Sequence, residues 1–254
     1  MLQPHSFLWH YLWLAPHVLQ CVLAAFLWRG GLHRKFPVFF AYLVFTTAKE
    51  FTLYAMDIIP SVSSDSFWLA YFIGMVVEES LKLAVIGELF FHLLRSRSAI
   101  AKVGRHMISG TGAALVLLAT LAAAHTQVGH APVALAHLSH VLLQSSYIVE
   151  AGLALFLFSF AAYYGIAWDH RALGIALGFG VAWCEHLGVF ALIASGTLLD
   201  KRLDFLNMAT YHVCVLVWFY FLLVPEKVAT TSAVSLPENN LDIWNRELER
   251  LLQQ

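Results

Sequence analysis

Ionisable side chains recur in the middle of segments that are otherwise apolar enough to sit in lipid. Lys49-Glu50 interrupts the stretch 39–53. Glu78, Glu79 and Lys82 interrupt the next apolar segment, and Glu150 and Glu185-His186 interrupt two later ones. A charged group at the bilayer centre costs about 2.5–3.5 kcal/mol on insertion scales, so these groups are expected to face one another rather than lipid. Carboxylates and histidines from facing helices support three chemistries. They ligate a divalent metal, relay protons, or line a pocket whose charge changes when a small ligand or a proton binds. Buried ion pairs that only fix helix register are a fourth reading.

Spacing assigns the groups to faces. At about 100° per residue, Tyr42, Thr46, Lys49 and Glu50 cover an arc of about 100°. Glu78 and Lys82, four apart, stack with acid before base, while Glu79 turns about 100° aside. His137, His140, Gln144 and Tyr147 form a stripe with Glu150 just beyond it. Asn207, Thr210, Tyr211, Cys214 and Trp218 form another, with His212 off it. The ligand-binding or proton-relay set is therefore Lys49, Glu50, Glu78, Glu79, Lys82, Glu150, Glu185 and His186. Five carboxylates against two lysines leave an acidic excess, to be met by protons, histidine or a bound cation. The metal set is His140, Glu150, His186 and His212. Its residues follow no HExxH or ExxH spacing, and a divalent metal is the one cofactor the side chains suggest.

The elements that must position these groups are membrane helices. The chain is 60% hydrophobic and 12% charged over 254 residues, with mean hydropathy +0.71, against roughly a quarter charged in soluble domains. A span needs about 20 mainly apolar residues, and 9–28, 37–59, 67–94, 107–125, 133–163, 172–195 and 205–224 meet that test. Met1 to Ser6 carries no lysine or arginine, so the first segment is expected to stay as a span. Arg29, Arg34, Lys35, Arg95, Arg97, Lys102, Arg105 and Arg171 lie in odd-numbered connections, against Lys201 and Arg202 in the even ones. By the positive-inside rule the amino terminus is outside and the carboxyl terminus cytoplasmic. Trp9, Trp13, Trp28, Trp68 and Trp168 fall near span ends and read as interfacial anchors. Gly174-x-x-x-Gly178 permits close helix contact. Cys21, Cys184 and Cys214 lie in apolar segments and form no metal or disulfide pattern.

Residues 1–225 thus read as a seven-helix transmembrane domain and 226–254 as a cytoplasmic tail. The tail carries Leu241, Trp244, Leu248 and Leu251 at helical spacing behind Asn240 as N-cap. This amphipathic helix suits the membrane surface or a cytoplasmic protein partner.

Leu19-Gln20, the basic turn to Arg34-Lys35, the run Phe36-Pro37-Val38-Phe39-Phe40-Ala41-Tyr42 and Glu88 resemble a group of uncharacterised bacterial multipass proteins over the first hundred residues. That resemblance implies a bacterial inner membrane and no particular activity. Seven helices with the amino terminus outside also resemble the membrane sensor regions of some bacterial histidine kinases, at the level of fold. Microbial rhodopsins carry a retinal-binding lysine in the last span, and 205–224 has none. Ceramidase-like zinc hydrolases carry a late HxxxH pair, where this chain has only His212.

The sequence therefore points to an all-α membrane bundle, a sensor or small-ligand or cation-binding protein whose partners are the bilayer, that ligand and no nucleic acid. A metal-dependent, hydrolase-like enzyme and a proton-coupled transporter are the alternatives for the same layer.

Overall fold

The computed structural model describes residues 6–93, 110, 131–163, 165–194, 202–224 and 239–253. The described residues form seven α-helices, one short 3-10 turn and no strand. Helix α1 (Phe7–Arg29) opens at Ser6, whose hydroxyl accepts from the Trp9 amide at 3.3 Å, satisfying one of the donors that a helix start leaves open. Gly31, at φ 70°, turns the chain into the 3-10 segment Leu32–Arg34. Helix α2 (Pro37–Ile58) follows, with Pro37 at its first position, where a missing N–H costs nothing. Helix α3 is Ser64–Leu93, α4 Ala131–Tyr163, α5 His170–Ala194, α6 Arg202–Leu223 and α7 Asn239–Leu252. Gly165, at φ 61°, turns the chain between α4 and α5.

Six of the seven expected spans coincide with α1 to α6 within a few residues, and the expected span 107–125 lies outside the described residues apart from Gly110. The segments Phe7–Arg29, Leu142–Tyr163 and Phe205–Leu223 are long and apolar enough to cross a membrane, which makes this a membrane protein. Helices α2, α3 and α5 fall short by composition, and they carry Lys49-Glu50, Glu78-Glu79-Lys82-Glu88 and Glu185.

Each described helix from α1 to α6 packs on the next, and α6 returns to α1, closing a ring. The α5–α6 seam is the tightest by geometry. A Cβ on Gly174 would overlap the Phe221 side chain, and one on Gly178 would overlap the Trp218 indole. Glycine removes those atoms and lets the backbones approach, the usual device where no water is available to drive apolar contact.

The ring is divided along its length. Leu23, Leu27, Phe36, Phe39, Leu43, Val85, Ile86, Leu89, Leu157, Ile175, Val215 and Leu222 form an apolar core. They come from the late turns of α1, α3, α4 and α6 and the early turns of α2 and α5, so they occupy one end. The polar groups gather toward the other. Glu88 closes the apolar end: its two carboxylate oxygens accept from the Val38 and Phe39 amides at 2.9 Å each. This negative group caps the start of α2 from a neighbouring helix, where unsatisfied N–H groups favour it.

Helix α7 is amphipathic and begins at Asn239, so Asn240 lies inside the helix rather than serving as N-cap. Leu248 packs on the core of the bundle, while Ile243, Trp244, Leu251 and Leu252 stay exposed. Cys21 and Cys184 are exposed on the helix surface and only Cys214 is buried.

Candidate functional site

A cavity of about 330 Å³ fills the polar end of the ring. Its walls come from α1 to α6, and Tyr42, Phe179 and Trp218 form its floor against the apolar core. Phe179 stands 5.1 Å from Tyr42 and 5.0 Å from Trp218 between ring centroids. The Trp218 indole donates to the Ile175 carbonyl at 3.2 Å, which holds the floor in place.

Lys49, Glu50, Glu78, Glu79, Lys82 and His186 all line this one cavity. The charges interlock. Lys49 Nζ lies 2.7 Å from Glu50 Oε1 and donates to Glu78 Oε2, tying α2 to α3. Gly74 leaves room for this, since a Cβ there would stand 2.8 Å from the Lys49 stem. Lys82 Nζ lies 2.7 Å from Glu79 Oε1 and 3.7 Å from Glu78 Oε1. Helical spacing alone stacks Lys82 on Glu78 and sets Glu79 about 100° aside. The structure instead gives Lys82 its closer contact with Glu79, because a three-residue step keeps two side chains on adjoining faces as well as a four-residue step does.

Glu150 is wholly buried behind the wall. Trp183 Nε1 donates to its Oε2 at 2.7 Å, and its carboxyl interacts with that of Glu79. Glu79 Oε2 and Glu150 Oε1 have no hydrogen-bond partner. Glu185 sits beside the cavity, with Oε2 3.0 Å from His186 Nδ1. The His186 ring stacks on Tyr147 at 3.9 Å between centroids, and Tyr147 also lies under Lys82 Nζ at 5.2 Å.

Of the expected metal set, His186 lines the cavity and Glu150 lies behind its wall. His212 is placed with Phe7, His10 and Tyr11 in a separate groove between α1 and α6, away from His186 and Glu150. One turn of α6 carries Tyr211 inward and therefore its neighbour outward. His140 belongs to α4, and its side chain is not among those described. Among the described residues no group of three or more His, Cys, Asp or Glu side chains is placed to hold a metal ion. Gln144, read as part of an inward stripe, is exposed.

Several site groups carried no charge to draw attention in the sequence. Trp13, read as an interfacial anchor, donates from Nε1 to Glu50 Oε2 at 2.9 Å. Gln20 is fully buried; its Nε2 donates to the Tyr211 hydroxyl at 2.5 Å, and its Oε1 contacts His17 Nδ1 at 2.9 Å. Trp13, His17 and Gln20 share one face of α1 within about 60°. That polar stripe on an apolar helix was the available signal.

Fold and site together define a helical membrane protein with a charged, aromatic-walled cavity inside the bundle. No protein family, curated protein or solved structure matches the chain.

Proposed function

We propose that this protein is a membrane receptor or sensor that binds a small ligand in the cavity and has no catalysis of its own. In this reading the bundle has seven spans, with the amino terminus outside and the carboxyl terminus in the cytoplasm of a bacterial inner membrane. The direction of the helices supports it. Lys82 lies beside Tyr147 and Phe90 beside Phe156, so α3 and α4 run in the same direction, as an odd number of crossings between them requires. The cavity would then open toward the outside, and α7 would lie on the inner side, its exposed apolar face meeting lipid or a cytoplasmic partner.

The observation that carries the reading is the contrast between a polar, partly open cavity and the packed apolar core beneath it. Proton or ion passage needs polar groups across the whole membrane. Here the lining stops at Tyr42, Phe179 and Trp218. A pocket closed at one end suits binding better than transport.

The test is a thermal-shift screen of chemically varied small molecules on the full chain in lipid nanodiscs, run beside Ala182→Trp, which places an indole in the cavity. Compounds that stabilise the wild type and not the variant are expected. Their absence, or proton uptake into proteoliposomes that Glu150→Gln abolishes, would overturn the reading.

A further inference from the structure

We infer that the cavity takes a small organic cation, an ammonium group carried on an apolar or aromatic body. This inference rests on the ligand-binding reading above and names the class of ligand. Charge is the first argument. Glu50, Glu78 and Glu79 line the cavity against Lys49 and Lys82. Glu150, wholly buried behind the wall, and Glu185, with Oε2 3.0 Å from His186 Nδ1, are further carboxyls outside the lining. The lining thus holds one more carboxyl than ammonium group, in a low-dielectric interior where an uncompensated ion is costly. Glu79 shows in its geometry where a partner is lacking. It is 6% exposed, lines the cavity, and has an oxygen without a hydrogen-bond partner.

The second argument is that the cavity already accommodates ammonium groups, those of its own lysines. Lys49 bridges two carboxylates. Lys82 lies between two carboxylates and over the Tyr147 ring. Carboxylate plus aromatic face is a recognition set for alkylammonium ions, because the negative face of the ring attracts the cation electrostatically once it leaves water. Trp13 and Tyr71 extend the same kind of wall around Glu50 and Glu78. A bare metal ion fits less well. Calcium and magnesium ask for about six or more oxygen ligands, whereas a volume of about 330 Å³ with aromatic walls leaves room for an organic body.

The experiment titrates the full chain in nanodiscs with three probes of similar shape: 2-phenylethylammonium, neutral 2-phenylethanol and anionic 3-phenylpropionate. Sodium chloride serves as the inorganic control. Tryptophan fluorescence and the unfolding temperature are the readouts. The ammonium is expected to bind saturably and at least tenfold more tightly than the alcohol. Glu50→Gln should weaken it at least tenfold. Lys49→Met should tighten it, with the stability lost in that variant restored by the probe, and opposite signs in the two variants cannot both come from misfolding. Equal binding of the alcohol, equal protection by sodium, or no tightening in a folded Lys49→Met would overturn the proposal. If Lys49→Met does not fold, the wild-type charge series decides. Binding of only the neutral or anionic probe, abolished by Ala182→Trp, would defeat the ligand class and leave the receptor reading standing. If no compound distinguishes wild type from Ala182→Trp, both fall.

Discussion

The two ends of the bundle solve the same problem in opposite ways. At the apolar end, Leu23, Leu43, Val85 and Ile175 are fully buried and contact is made by dispersion, which is directionless and tolerates small adjustments. At the polar end, the Lys49–Glu78 ion pair joins α2 to α3, Lys82 of α3 lies over the Tyr147 ring of α4, and the Trp183 to Glu150 hydrogen bond joins α5 to α4. Such bonds need specific partners, and removing one partner strands the other. The apolar end can therefore hold the ring together while the polar end keeps a cavity open. A binding site in a membrane requires that division, since a cavity lined by charge contributes little packing of its own.

The largest effect is expected from leaving one charge unpaired at the polar end. Lys82→Met strands Glu79 beside Glu150 and should destabilise by about 3–5 kcal/mol. Replacing the pair together, Lys82→Met with Glu79→Leu, should recover most of that loss. Thermal unfolding in nanodiscs measures both, and a double variant no better than the single one would show that the pair matters beyond its charge.

At the apolar end, Leu89→Ala should cost about 2–5 kcal/mol through the cavity it leaves. The same titrations should give an unchanged ligand affinity. A loss of affinity as large as the loss of stability would show that the two ends are not separable.

A smaller effect tests the joint between them. Trp183→Phe keeps an aromatic ring, smaller than the indole, and removes the donor to Glu150, and a stranded buried acceptor costs about 1–3 kcal/mol. Hydrogen exchange should rise in α4 and α5 more than in α2, and a uniform rise would break the assignment.

The smallest effect lies outside the membrane-spanning segments. Lys35 Nζ stands 3.0 Å and His92 Nε2 3.8 Å from Asp169 Oδ2, and the Ala172 amide donates to the same oxygen at 3.3 Å. Burial pushes this carboxyl up, but the Lys35 hydrogen bond and charge, the amide and His92 together hold it below its ordinary value. A lowered folded value means that the bridge contributes fully above the unfolded aspartate range, about pH 3.9. The contribution is lost as pH falls through the folded value. Exposure screens the pair, so Asp169→Asn should cost only about 0–1 kcal/mol. It should also flatten the acid limb of the stability curve, and an unchanged limb would show that the bridge is idle.

How much of this was legible beforehand depended on the range of the interaction. Helix positions followed from apolar length, and the inward faces of α2 and α6 followed from helical spacing, because both are local. Glu79 was expected in the site, but its pairing with Lys82 was not, because a single helix cannot say which of two adjoining faces meets a lysine. Trp13 and Gln20 were passed over as site residues because their partners, Glu50 and Tyr211, lie on other helices. His212 was grouped with His186 on residue type alone, and the rotation of α6 separates them.

By itself the sequence determined that the chain is helical, that it belongs in a membrane, and that its interior must absorb more acid than base. Those properties are sums over residues and need no geometry. Only the tertiary structure decided that the charges of α2 and α3 meet in one cavity with an aromatic floor, and that the other end of the ring is sealed by apolar packing. The reason is physical: an ion pair or a cavity belongs to several helices at once, and its existence depends on how each is rotated about its own axis.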